Sequence, residues 1–213
     1  MDINWIYLAG EWIGTAAFAV SGAMVAVNKR NDIFGVLLLA IFTALGGGVI
    51  RDMLIGDLPP RIFGNFHYVL LAMVCALLVF FFARINKDRF LKEEKHIEKI
   101  NNIFDAIGLG VFAVNGARIG LDAGFGGNIF MLTTLGMVTA VGGGMLRDVL
   151  IREMPFVLSK RVYAVAAICG ALVFSVLVRL GVSSVLAYGI GWAITTMLRL
   201  LATAFRWNLP KAF

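Results

Sequence analysis

Charge is scarce in this 213-residue sequence: Asp, Glu, Lys and Arg make up 15% of it, where a soluble domain carries about a quarter. With 60% hydrophobic residues and a mean hydropathy of +0.88, that shortage excludes an ordinary soluble globule and points to an integral membrane protein. Cysteine is scarce too. Cys75 and Cys169 lie in apolar runs and are expected to be small buried hydrophobes, a metal pair or a disulfide being the alternatives. The two histidines, His67 and His96, fall in loop or interfacial stretches. With no nucleotide-binding loop, metal-ligand cluster or nucleophile–base arrangement in view, neither an enzyme nor a cofactor is expected. MDINWIYLAGEW at the start lacks a basic n-region and a small-residue cleavage site, so it is read as the beginning of the first mature helix. The net charge of +6 is spread over loops without a patch interleaved with aromatics, which argues against nucleic acid.

What the chain has in abundance is apolar runs. Its length gives room for about seven membrane-spanning helices of roughly 20 residues, and hence one transmembrane domain over 1–213 with no separate soluble part. The runs predict helices at about 7–27, 34–55, 68–85, 103–121, 128–151, 161–180 and 185–205. The longest polar stretch, Asn86 to Asn101, reads as a mixed-charge loop.

That loop separates two related halves. Gly46-Gly47-Gly48, Arg51 and Asp52 return 96 positions later as Gly142-Gly143-Gly144, Arg147 and Asp148. IGTAAFAVSGAM from Ile13 matches IGLGVFAVNGAR from Ile107 at an offset of 94, and YVLLAMVCALLVF from Tyr68 matches YAVAAICGALVFS from Tyr163 at 95. The fold class is therefore all-α and membrane-integral: a three-helix unit over about 7–85, its copy over about 103–180, and a seventh helix. An odd number of helices per unit makes the second copy enter the membrane from the opposite side, giving inverted repeats of the kind found in transport folds.

Orientation follows from the basic residues. Of the 19 Lys and Arg, only Arg51, Arg61, Arg118 and Arg179 fall on one side of such a bundle. The side holding the others is expected to be cytoplasmic, which puts the N-terminus, near Asp2, outside the inner membrane and the C-terminus, near Lys211, inside it. Trp5, Trp12 and Trp207 are expected interfacial anchors.

Both glycine triplets lie near mid-membrane, Gly46 roughly 18 Å along the second helix. Glycine can open the backbone ladder, so the second and fifth helices are expected to be broken there, with close helix packing as the alternative. Freed carbonyls near Gly46–Gly48 and Gly142–Gly144 would offer a transient site for a monovalent cation, with no fixed metal. Charges in such segments need a partner or a wet cavity. Adjacent residues point about 100° apart on a helix, so Arg51 is expected to pair with Asp148 and Arg147 with Asp52, or each pair to reach the first or fourth helix. Snorkelling at helix ends is the alternative. Ser21 and Asn115 occupy matching positions and would line a pore or bond a neighbouring helix, while Gly10/Gly14 and Gly116/Gly120 hint at packing.

At GGGVIRD and GGGMLRD the chain resembles the bacterial and archaeal members of the trimeric intracellular cation (TRIC) channel family. The resemblance covers nearly the whole chain. It implies a homotrimer with a pore in each protomer, gated around kinked second and fifth helices and permeable to monovalent cations, chiefly potassium, among membrane lipids. Carried over by position, the pore elements are the two glycine triplets with Arg51, Asp52, Arg147 and Asp148. The Lys-Glu-Val motif of animal members is absent here, so their lipid regulation and calcium-store role are not implied. A broken helix also presents a positive N-terminal end, which leaves a small-solute carrier, for an amino acid such as glycine, as the second reading. A purely structural role fits the repeat least well.

Overall fold

The computed structural model describes residues 5–87, 93–159 and 162–207. Seven long helices account for most of them: α1 (Trp5–Asn28), α2 (Ile33–Ile55), α3 (His67–Ile85), α4 (Glu94–Gly120), α5 (Ile129–Leu150), α6 (Tyr163–Arg179) and α7 (Ser184–Ala204). In hydrocarbon each backbone N–H and C=O needs an internal partner, which is why these apolar runs become helices. Six are long and apolar enough to cross a membrane; α6, at 17 residues, is a shorter apolar helix. Among the described residues Cys75 and Cys169 are free and partly buried.

Local chemistry sets the helix ends, and it is duplicated. Asp32 Oδ1 accepts a hydrogen bond from Gly35 N (2.8 Å) at the start of α2, and Asn128 Oδ1 accepts one from Met131 N (3.0 Å) at the start of α5. Gly56, at φ 75°, closes α2 in the left-handed conformation that costs glycine little.

Two expectations are corrected. First, α2 and α5 are unbroken through their glycine triplets. The glycines bring the helices together instead. A side chain on Gly47 would collide with the carbonyl oxygen of Thr139, and one on Gly143 with that of Thr43. At Gly142 a Cβ would stand 3.1 Å from Gly47 Cα. Contact at this range brings two backbones to van der Waals distance, as small residues do between membrane helices. Second, the mixed-charge stretch is not all loop, since α4 begins at Glu94, nine residues before the span expected from 103. Expectations placed on Asp2, Arg89, Lys92, Lys160, Arg161 and Lys211 lie outside the described residues.

Thr43 meets Gly143 while Gly47 meets Thr139, so the two helices run past each other in opposite senses. The bundle has two distinct ends. At one, Lys29 after α1 pairs with Glu153 after α5, and Arg30 and Asn31 share a cavity wall with Arg84 and Lys87 of the α3 end. At the other, the Arg118 guanidinium lies 3.8 Å above the Tyr7 ring, Tyr7 packs edge-on against Tyr188, and Arg179 Nη1 is 3.5 Å from Gly127 O. The first end gathers the C-terminal ends of α1, α3 and α5. The second gathers those of α4 and α6 with the starts of α1, α5 and α7.

Candidate functional site

Beside the α2–α5 crossing lie two polar clusters built from equivalent residues. Each takes an acid from the first helix of one repeat and the Arg-Asp pair of its second. A tyrosine opens the third helix, and one polar side chain comes from the first helix of the other repeat.

The first cluster lines a cavity of about 260 Å³ walled by Glu11, Thr15, Gly48, Arg51, Asp52, Arg61, Tyr68 and Asn115, among others. Tyr68 Oη and Asn115 Nδ2 (3.1 Å) both donate to the Glu11 carboxylate. Arg51 turns back onto its neighbour, with Nε at 2.9 Å and Nη2 at 2.7 Å from Asp52 Oδ1. Asp52 Oδ2 accepts from the backbone N–H of Arg61 (3.0 Å), tying the loop after α2 to its helix.

The second cluster repeats this scheme without the space. Arg147, 0% exposed, donates from Nε to Asp148 Oδ1 (2.8 Å), and Asp148 Oδ2 accepts from Phe156 N (2.8 Å). Here the guanidinium also reaches across: Nη1 lies 3.1 Å from Ser21 Oγ on α1 and 3.4 Å from Asp105 Oδ1 on α4. Tyr163 Oη, the counterpart of Tyr68, donates to Asp105 Oδ1 at 3.4 Å. Arg199, from the seventh helix, stacks 4.9 Å from the Tyr163 ring centre, and Arg147 lies 4.9 Å from that of Phe156. In the first cluster the hydrogen-bond partners of Glu11 among the described residues, Tyr68 and Asn115, are neutral. In the second its counterpart Asp105 faces an arginine.

The expected cross-repeat ion pairs are therefore corrected. Arg51 pairs with Asp52 and Arg147 with Asp148, because an arginine is long enough to bend back along its helix and grip the carboxylate next to it. Snorkelling does not occur, as all four side chains are buried. The repeats interlock instead through Ser21 and Asn115, each seated in the other repeat's cluster. The glycine triplets sit at the helix crossing; with the helices intact, their carbonyls are not opened toward an ion. Gly48 faces the cavity, and Gly144 sits below Tyr163, where a Cβ would be 3.2 Å from the hydroxyl.

Sequence reading passed over Glu11, Asp105, Tyr68, Tyr163 and Arg199. A signal was present for the first four. Extending the match at Ile13 and Ile107 by two residues aligns Glu11 with Asp105, and the third matched segments begin with the two tyrosines. Arg199 lies outside the duplication and has no counterpart.

Comparison with known proteins places this architecture. A family model described as glycine transporter matches residues 8–84 and 102–179. The chain is similar to the UPF0126 inner membrane protein YadS of Escherichia coli (strain K12), 36% identical over 215 residues, which span 98% of this chain and 94% of the relative. The UPF0126 membrane protein YvgT of Bacillus subtilis is 35% identical over 210 residues, 93% of each chain. Among solved structures, the TRIC trimeric intracellular cation channel orthologue from Rhodobacter sphaeroides superposes with a TM-score of 0.84 at 35% identity, over 95% of this chain and 99% of its own. A prokaryotic TRIC channel crystallised in 0.5 M KCl gives 0.86 at 31% identity, over 97% and 100%. The chain belongs to this family of UPF0126 membrane proteins and prokaryotic TRIC channels.

Proposed function

We propose that the protein is a channel for monovalent cations, potassium foremost, with one pathway in each protomer of a homotrimer. The pathway runs past the α2–α5 crossing, from the cavity at Glu11 toward the cluster at Asp105. The observation that carries this reading is the inequality of two equivalent clusters. One is open with an acid facing space, and the other is filled by a buried arginine. Arg147 acts as the closed gate, held by Asp148, Ser21 and Asp105. Opening moves this guanidinium aside, and the glycine crossing serves as the pivot on which α2 and α5 shift.

The opposed senses of α2 and α5 support an inverted repeat, with about 7–85 and 103–180 as its halves. The Lys/Arg bias orients the bundle with the Glu11 cavity outward and Lys29, Lys87 and Arg152 cytoplasmic. The similar structure from Rhodobacter sphaeroides is a trimeric intracellular cation channel orthologue, which supports the trimer and the cation.

A second reading is favoured by one feature of the cavity. Its wall carries both Glu11 and the cationic Arg51 and Arg61, a pairing that suits the two ends of a zwitterion. With one cluster open and its twin closed, an amino-acid carrier alternating between them is the competing mechanism, in keeping with the family model's description. Purified protein in liposomes, assayed for potassium-driven flux and for glycine uptake, separates the two. Potassium flux without glycine uptake is the expected result, and saturable glycine uptake without potassium flux would replace the channel by the carrier.

A further inference from the structure

We propose that Glu11, Asn115 and Tyr68 form a discrete binding site for one partly dehydrated monovalent cation in the open cavity. The inference rests on the cation-pathway reading and specifies where along it an ion pauses.

In the second cluster a resident cationic group shows what such a cradle holds. Arg147 Nη1 sits against the Asp105 carboxylate and the Ser21 hydroxyl, beside the Tyr163 hydroxyl that bonds the same carboxylate oxygen. The matching groups in the first cluster are Glu11, Asn115 and Tyr68, and the last two both bond the Glu11 carboxylate. Arg51 does not take Arg147's place, because Nε and Nη2 are both committed to Asp52 Oδ1. The position occupied by a guanidinium in one repeat thus opens onto space in the other.

Asn115, 2% exposed, reaches over from the other repeat and fixes the Glu11 carboxylate through Nδ2 at 3.1 Å, and both residues line the cavity. The neighbouring Glu11 oxygens keep spare lone pairs after accepting one bond each, since a carboxylate offers about four acceptor sites.

Charge and donor type narrow the ligand. All the donors are hard oxygens, which suit alkali or alkaline-earth ions over softer metals. Asp52 cancels Arg51 and Asp57 pairs with Arg61, so the cavity is left with the single negative charge of Glu11. Calcium sites recruit six to eight oxygens, usually with several carboxylates. A single carboxylate, completed by water, matches a monovalent ion.

The full-length protein in detergent provides the test. Its thermal midpoint is followed while potassium chloride replaces N-methylglucamine chloride at constant ionic strength. A potassium-dependent rise is expected in the wild type, with the half-saturating concentration at least tenfold higher in Glu11→Gln and less affected in Glu11→Asp, which keeps the charge. Should Glu11→Gln fail to fold, wild-type crystals soaked in rubidium chloride give the same answer through an anomalous peak between Glu11 and Asn115. Equal potassium response in wild type and Glu11→Gln, or rubidium bound only elsewhere, overturns the site. So does a midpoint that responds to glycine but not to potassium. Liposome flux keeps the two failures apart. Flux without binding at Glu11 removes this site alone, while binding at Glu11 without flux removes the channel reading and leaves the site standing.

Discussion

Gly47 and Gly143 meet backbone to backbone, each in a space closed by the carbonyl of a threonine on the opposite helix. Alanine at either position has to push α2 and α5 apart. Overpacking of this kind costs about 1–3 kcal/mol, and leucine costs more. Gly47→Ala and Gly143→Ala are each expected to lower the thermal midpoint of the purified protein. Gly189→Ala, in α7 with nothing within 4 Å of its Cβ, is expected to leave it unchanged or raise it. Equal behaviour of all three variants would show that the crossing is not tightly packed in solution.

Arg147 pairs with two buried carboxylates at once. Arg147→Met leaves Asp105 and Asp148 unbalanced, and breaking a buried pair in this way costs about 3–5 kcal/mol. Adding Asp105→Asn to that variant is expected to recover part of that stability and to raise resting potassium flux, because the gate is then absent and one carboxylate, Asp148, is left unpaired instead of two. A double variant that folds and conducts no better than wild type would remove Arg147 from the gate.

Local pairing sets the pattern of a double-mutant cycle. Arg51/Asp52 and Arg147/Asp148 are expected to couple by more than about 1 kcal/mol, whereas Arg51/Asp148 and Arg147/Asp52 should add within about 0.5 kcal/mol, as unconnected sites do. Strong cross-repeat coupling would mean that the guanidiniums exchange partners in the membrane.

Asp148→Asn is expected to cost more than Asp52→Asn. Both aspartates hold an arginine and a loop amide, but Arg147 is sealed in protein while Arg51 borders a cavity that admits water. The gap should be about 1–2 kcal/mol by thermal or denaturant unfolding. The reverse order would contradict the assignment of open and closed clusters.

Single cysteines, introduced after Cys75 and Cys169 are replaced, test the orientation. Labels at Asn31, Lys87 and Arg152 should react from the cytoplasmic side, and labels at Asp57 and Gly127 from outside. Reaction of Asn31 and Lys87 from different sides would break the alternation of spans.

Much of the fold was readable because membrane helices declare themselves through uninterrupted hydropathy: six of the seven helices start within two residues of the expected position. The exception is α4. Its first turns carry Glu94, Lys95, Glu98 and Lys99, so the helix extends beyond the apolar run that hydropathy detects. The glycine triplets were found, but composition does not separate a broken ladder from a tight crossing. What decides between them is the facing surface, and Thr139 and Thr43 supply a backbone that fits only against glycine. The Arg-Asp pairs were found; the cross-repeat ion pairs expected of them do not form, while the alternative, contact with the fourth helix, holds for Arg147 at Asp105. Helical geometry fixes where Cβ points, and an arginine carries its charge several bonds beyond that. Glu11 and Asp105 escaped notice as single acids in apolar runs, although their alignment across the repeat was there to be read.

The carboxylate of Asp148 faces two ways, holding Arg147 with one oxygen and the Phe156 amide with the other, while the Phe156 ring also covers that guanidinium. A surface segment and a buried cation therefore share one anchor. Whatever displaces Arg147 alters the free energy of docking the segment at Phe156, and by reciprocity anything that lifts the segment alters the hold on Arg147 by the same amount. Exposed Met154 and Leu158 flank this segment at one end of the bundle. They make it a handle, through which an event at the protein's edge reaches a charge sealed within its core.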